Sequence, residues 1–285
     1  MTVGLDRRCS MGDFVAGIAD GTHLALAGFA ISRNAVAFAH ELVRAGRRHL
    51  TVTQVIGGLE TDLLAAAGAV DTLTYGGGSL DRYGPLHGVN QAALGGSLTL
   101  VEYSALALTL RLHAGALGLP FIATRSMLGS DLASAPTDRG EVRAGENPFD
   151  GAPCLIMSPL RPDVAVVHVD AADKAGNAAI TGPTWSIPET ARAARSLAVV
   201  AEEIVKVGDI DPSNVDIPAA IVDAVIPAPR GAYPTAVYGH YDYDGAHLQM
   251  YVDAGASGPA GLAAYLERWV YGTASFDEYL LRAVA

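Results

Sequence analysis

Cysteine is nearly missing from this chain: Cys9 and Cys154 are the only two among 285 residues. So widely spaced a pair supports no disulfide framework, and it fits a reducing compartment such as the cytoplasm. Charge is scarce too. Asp, Glu, Lys and Arg make up 17% of the residues, and acidic outnumber basic ones 30 to 19. The formal charge of −11 argues against a nucleic-acid partner, whose phosphates call for a basic surface. Long apolar runs are also missing, although half the residues are hydrophobic. Gly, Pro or a charge breaks each run before the roughly 18–20 residues of a membrane span, so no membrane partner is expected. The first residues, Met-Thr-Val-Gly-Leu-Asp-Arg-Arg, lack the apolar centre of a signal peptide. The eight histidines show no pair at metal-ligand spacing, and no metal is expected.

What is present is an alternation. Leu50–Ile56 reads as a strand ending in Gly57 and Gly58, followed by a helix over Leu59–Ala67. Val70–Tyr75 reads as a strand ending in Gly76, Gly77, Gly78 and Ser79. Leu98–Val101 and Leu119–Ile122 read as strands around a helix over Ser104–Ala116. Val164–Val169, Ser196–Ala201 and Ala220–Ile226 continue the strands, and Gly258–Tyr271 and Asp277–Ala283 close the chain as helices. Strands alternating with helices imply parallel βαβ units. The expectation is an α/β fold, an open twisted mostly parallel sheet with flanking helices, in one domain over residues 1–285. Residues 126–153 hold seven Gly or Pro without periodicity and read as a long surface excursion.

Strands that end in glycine point to the carboxyl edge of such a sheet as the place for a ligand. The segment Asp20–Asn34 is the clearest case. It reads as a strand, His23–Ala27, a turn at Gly28 and Phe29, and a helix from Val36 capped by Ser32 or Asn34. Backbone N–H groups converging there would suit an anion or a developing oxyanion. An ordinary βα junction has the same pattern.

The chain as a whole resembles the α subunit of class I coenzyme A-transferases, nearest the glutaconate CoA-transferase type. The resemblance rests on Asp20–Asn34, Gly57-Gly58, Gly77–Ser79, Ala116–Phe121 and Asn147–Phe149. It continues through Pro162–His168, Asp173–Asn177, Val200–Glu203 and Pro227–Asp244, in order along the chain. Ala27 and Ala35 depart from it, standing where the family usually has glycine and proline. The resemblance implies a fold shared with sugar-phosphate-isomerase-like proteins and an α2β2 assembly with a β subunit. It also implies coenzyme A as substrate, and a β-subunit glutamate that attacks the acyl-CoA thioester. That glutamate belongs in a Glu-Ser-Gly or Glu-Asn-Gly turn; Glu146-Asn147 approaches the pattern but Pro148 follows. A partner chain is therefore expected to supply the nucleophile.

Glu102, at a strand-to-helix junction, is the candidate catalytic residue here. The resemblance implies an acidic residue at this position, including in a ring-opening CoA-dependent hydrolase and a decarboxylase. There it would act as a general base with its pKa raised by burial. A plainer reading makes Glu102 a helix-dipole partner. Gly28, Phe29, Gly57, Gly58, Gly77 and Ser79 are candidate substrate-binding residues, and Arg33 a candidate ligand for a carboxylate or CoA phosphate. His113 and His168 read as core or interface residues. Three functions remain open: acyl-CoA transfer, CoA-ester hydrolysis or decarboxylation, and a non-catalytic sensor on a related fold.

Overall fold

The computed structural model describes residues 6–284. The segment Met1–Leu5, read above for a signal peptide, lies outside the described residues. The strands are β1 His23–Phe29, β2 Leu50–Ile56, β3 Val70–Tyr75, β4 Thr99–Glu102, β5 Ile122–Thr124, β6 Val142–Glu146, β7 Pro153–Met157, β8 Val164–Asp173, β9 Ala178–Ala179, β10 Ser196–Val205 and β11 Ala224–Pro227. The main sheet runs β11-β10-β8-β1-β2-β3-β4, with every neighbour parallel. Short β9 adds an antiparallel pairing to β8. A mostly parallel α/β sheet is thus what the alternation builds.

The α-helices are α1 Met11–Ala16, α2 Val36–Arg44, α3 Leu59–Ala66, α4 His87–Leu94, α5 Ala105–Leu117, α6 Ser134–Asp138, α7 Ile187–Ala193, α8 Gly245–Ala256, α9 Pro259–Leu266 and α10 Phe276–Ala283. Central strands buried on both faces carry continuous apolar runs. In β8, Val166 packs with Leu24, Phe38 and Leu42 on one side of the sheet. Its neighbours Ala165, Val167 and Val169 pack on the other side with Ile187 and Leu197. Each such fully buried Val or Leu contributes about 1.5–3 kcal/mol. Helix α5 begins where Ser104 Oγ accepts the Ala107 N–H at 3.1 Å. It stops at Gly118, whose φ of 70° is the left-handed cap that glycine favours.

Three expectations need correction. The excursion 126–153 is not structureless. It folds into α6 and β6, and β6 joins β5 and β7 in a separate antiparallel sheet of order β5-β7-β6. That sheet packs its inner side, Val142, Leu155 and Met157, against Leu108 and Leu112 of α5. The helix expected over Gly258–Tyr271 is α9 followed by a π-helical turn at Glu267–Tyr271. Helices α1, α4 and α8 are not among those expected; their sequences carry Gly and polar residues that blur the 3.6-residue period.

Candidate active site

The ends of β1, β2, β3 and β4 lie side by side at the carboxyl edge of the sheet, and their turns are stitched together. Gly57 N–H donates to the Gly77 carbonyl at 2.9 Å, and Ser79 N–H donates to the Gly57 carbonyl at 3.3 Å. Gly76 N–H reaches Val55 O, and Tyr103 N–H reaches Tyr75 O, both at 2.9 Å. Gly77 has a φ of 104°, where only glycine rests without strain. Gly58 is required for a different reason: a Cβ there would stand 2.2 Å from Asn34 Oδ1 and 2.3 Å from Ala30 O. Five of the candidate residues, Gly57, Gly58, Gly77, Ser79 and Glu102, therefore share this edge. The amides of Gly77 and Gly78 make no hydrogen bond among the described residues.

The turn after β1 differs from expectation. Neither Ser32 nor Asn34 caps α2; Ala35 stands at the cap without a side-chain bond. Asn34 is fully buried and instead spans the junction. Its Nδ2 donates to the Ala30 and Ser32 carbonyls at 3.0 and 3.1 Å, and its Oδ1 accepts the Glu60 N–H at 3.2 Å. Nor do the amides at Gly28 and the start of α2 form an open anion site. Glu60 fills their demand from inside the protein. Its Oε1 accepts Gly28 N–H at 3.0 Å and its Oε2 accepts Ala35 N–H at 2.5 Å. Gln54 Nε2 donates to Glu60 Oε1 and to the Gly28 carbonyl, both at 2.8 Å. Full burial raises the Glu60 pKa, and the three N–H donors pull it back, to about 7.

Arg33 needs the firmest correction. On this chain it is not open to a substrate carboxylate or a CoA phosphate: its side chain is buried, in a backbone with φ of 52°. Its Nη1 lies 2.8 Å from Asp170 Oδ2, and its Nη2 donates to the Thr181 carbonyl. His240 Nε2 sits 3.0 Å from the other Asp170 oxygen. Nothing in the residues around Arg33 signals this, because Asp170 and Thr181 lie far along the chain. Phe29 is half-buried and stacks on Trp185, ring centroids 4.9 Å apart and planes 11° off parallel. His168 is buried as expected, 2.9 Å from Glu202, whereas His113 is exposed.

Glu102 ends β4 and is exposed on this chain, so the burial expected of it is not supplied here. Tyr75 Oη points at its Oε1, 3.4 Å away, and burial of Tyr75 followed by this carboxylate pushes the phenol up to about 12. Capping of α5 falls to Ser104, which leaves Glu102 outside the helix. Its side chain opens on a cavity of about 340 Å³ whose other wall is Ser130, Asp131, Leu132, Ser134 and Ala135. That wall comes from the stretch read as an unstructured excursion, and sequence reasoning missed it. Ser79 Oγ accepts the Asp81 N–H at 3.2 Å, a local turn bond that leaves its hydroxyl hydrogen available. A larger cavity, about 750 Å³, lies on the small sheet between Phe121, Arg125, Phe149 and Ile156. It is mainly apolar, and Phe149 in it is 94% exposed.

Comparison with known proteins gives a consistent picture. A model of the family described as coenzyme A transferase matches residues 8–228. The chain is 32% identical to the A-type subunit of glutaconate CoA-transferase from Acidaminococcus fermentans, over 91% of its own length and 86% of that relative. It is 31% identical to the cholesterol ring-cleaving hydrolase IpdA subunit of Mycobacterium tuberculosis, over 94% of both. It is also 34% identical, over 92% of its length, to an uncharacterized protein of Archaeoglobus fulgidus, of which it spans only 59%. The crystal structure of the A. fermentans glutaconate coenzyme A-transferase superposes with a TM-score of 0.90 at 29% identity, covering 97% of this chain and 92% of that one. A decarboxylase AibA/AibB variant superposes at 0.81 and 31% identity, covering 92% and 98%.

Proposed function

The chain belongs to the coenzyme A transferase family, and from that premise we propose that it is the α-type subunit of a heteromeric enzyme moving CoA between carboxylic acids. The observation that carries this reading is the near-complete superposition on glutaconate coenzyme A-transferase. The acids are short dicarboxylic or keto acids, and the partner is a β-type subunit in a cytoplasmic α2β2 assembly. A glutamate of that partner attacks the thioester carbonyl. The CoA thiolate leaves an acyl-glutamyl anhydride, then attacks the glutamyl carbonyl and releases the free acid. The second acid runs the same steps backwards, so one hard exchange becomes a series of easier ones. The carbonyl oxygen becomes an oxyanion in each step, and preformed N–H donors stabilise it. On this chain the Gly77 and Gly78 amides, without a hydrogen bond among the described residues, are candidates for that role.

A second reading has its own observation. Glu102 opens on the cavity between β4 and α6, and one relative of this length bears a hydrolase name. There Glu102 takes a proton from water, which attacks the substrate without a covalent enzyme intermediate. Transfer and hydrolysis part at that intermediate. The purified complex is incubated with its acyl-CoA and then treated with borohydride or hydroxylamine. Transfer predicts loss of activity and a marked partner glutamate. Consumption of acyl-CoA with no marked glutamate refutes transfer and leaves Glu102 as the base.

A further inference from the structure

Glu60 plays no part in either reaction scheme, yet it is the acceptor on which three elements converge. We propose that Glu60 is a positioning residue of the CoA-ester site, its ionised carboxylate clamping the β1–α2 turn from beneath. The proposal rests on the reading that the turn carrying Gly28 and Phe29 borders the thioester. The clamp holds both ends of that turn. Gly28 N–H at its start and Ala35 N–H at its end go to opposite oxygens of one carboxylate. The Gly28 carbonyl is tied by Gln54 Nε2, which also donates to Glu60. Gln54 is fixed in turn by the Thr61 hydroxyl, which donates to its Oε1. Asn34 Oδ1 accepts the Glu60 amide, which locks the turn to the first residues of α3. A Cβ at Gly28 would lie 2.4 Å from Glu60 Oε1, so only glycine lets the carboxylate approach this closely.

The chemistry favours the anion for a specific reason. The groups facing Glu60 are the Gly28 amide from β1, the Gln54 amide from β2 and the Ala35 amide from the start of α2, and all three are donors. None of these elements turns a charged side chain on it, and on its own helix Asp62 is engaged by Tyr251 and Val89. A proton on Glu60 introduces a fourth donor among donors and turns three charge-assisted bonds into weaker neutral ones. Burial opposes this by favouring the neutral acid. The clamp is therefore closed when Glu60 is ionised and loosened when it is protonated.

The test uses the assembled complex with its partner subunit. In the wild type, kcat/KM falls as pH drops through about 7, and the protection of the Gly28 and Ala35 amides against hydrogen exchange falls with the same midpoint. Glu60→Gln, which keeps the shape but sets an NH2 against an N–H, lowers kcat/KM by about 10²-fold. It also removes the acidic limb, an effect that mere loss of stability would not produce. A folded E60Q complex with the wild-type rate and pH profile overturns the proposal. If E60Q does not fold, the wild type decides, and exchange protection that ignores pH across this window overturns it equally. A wild-type complex that turns over no acyl-CoA is a separate failure. It removes the functional reading and the proposal with it.

Discussion

Arg33 and Asp170 meet at 2.8 Å between the carboxyl ends of β1 and β8, with 0% and 6% of their side chains exposed. They close the crevice where the strand order turns back on itself, the place where open α/β sheets usually admit ligands. The pair acts as a bolt at that position, and the candidate residues sit along the ends of β1 to β4. The two halves of the bolt are unequal. Asp170 retains His240 and the Thr181 amide if the arginine is removed, whereas Arg33 without Asp170 is a buried cation facing a carbonyl. Asp170→Asn should cost about 3–5 kcal/mol and Arg33→Met clearly less. Urea unfolding of both variants measures this, and an equal or reversed order would show that the pair is not organised this way.

Glu102 gives the second prediction. Glu102→Gln removes the charge at the cavity mouth and leaves β4 and α5 intact, since Ser104 holds the helix start. The assembled complex should lose about 10²-fold or more in rate with unchanged thermal unfolding. A loss below about tenfold would reduce Glu102 to a bystander of the helix.

The third concerns assembly. Phe121 and Phe149 are 53% and 94% exposed beside the cavity on the small sheet. The proposed β-type subunit is expected to cover these two rings, since large contiguous apolar patches are a feature of partner surfaces. The double variant Phe121→Ser, Phe149→Ser should express as a folded chain that no longer co-purifies with the β-type subunit. Sedimentation of the mixed subunits reads the result. Undiminished complex formation would place the interface elsewhere.

The fourth is a pH effect on stability. His247 is buried among Tyr233, Tyr265, Trp269 and Tyr279. Burial lowers its pKa from 6.5 to about 4. Between those values the unfolded chain binds a proton that the folded cluster refuses, so stability falls on acidification through pH 6.5 towards 4. His247→Phe should flatten that part of the profile. Thermal unfolding followed across this range checks it, and an unchanged slope would mean that other groups dominate.

How much could be read beforehand followed from the range of the interactions. Strands β2 and β3 were legible to the residue, because Leu-Thr-Val-Thr-Gln-Val-Ile and Val-Asp-Thr-Leu-Thr-Tyr both run straight into glycines. The Asp173–Asn177 turn was legible because its chemistry is local: Asp173 Oδ1 accepts the amides of Ala175, Gly176 and Asn177. Glu60 and Arg33 were not, since their partners are decided by how β1, β2 and β8 come together. A hint did exist in α3, where Glu60, Thr61 and Asp62 follow one another in an otherwise apolar helix. Three successive polar residues cannot all point outward from a helix covered on its sides. The wall opposite Glu102 stayed hidden for the opposite reason. The stretch 130–135 holds only a 3-10 turn and the start of the five-residue helix α6, too short for a 3.6-residue period to show.

The central place of β1 also governs how the molecule can be made. In chain order β2, β3 and β4 follow β1 directly and fill the row on one side of it. Its other edge has no neighbour until the ribosome has delivered Val164 and the residues beyond. Throughout that interval a half-sheet with a long apolar margin is exposed, and unpaired margins of this kind invite pairing with other chains. Arg33 waits through the same interval without its carboxylate. Nascent chains halted before β8 should therefore be the form most dependent on chaperones, and slowing translation across residues 126–163 should lower the yield of folded protein more than slowing it after β11.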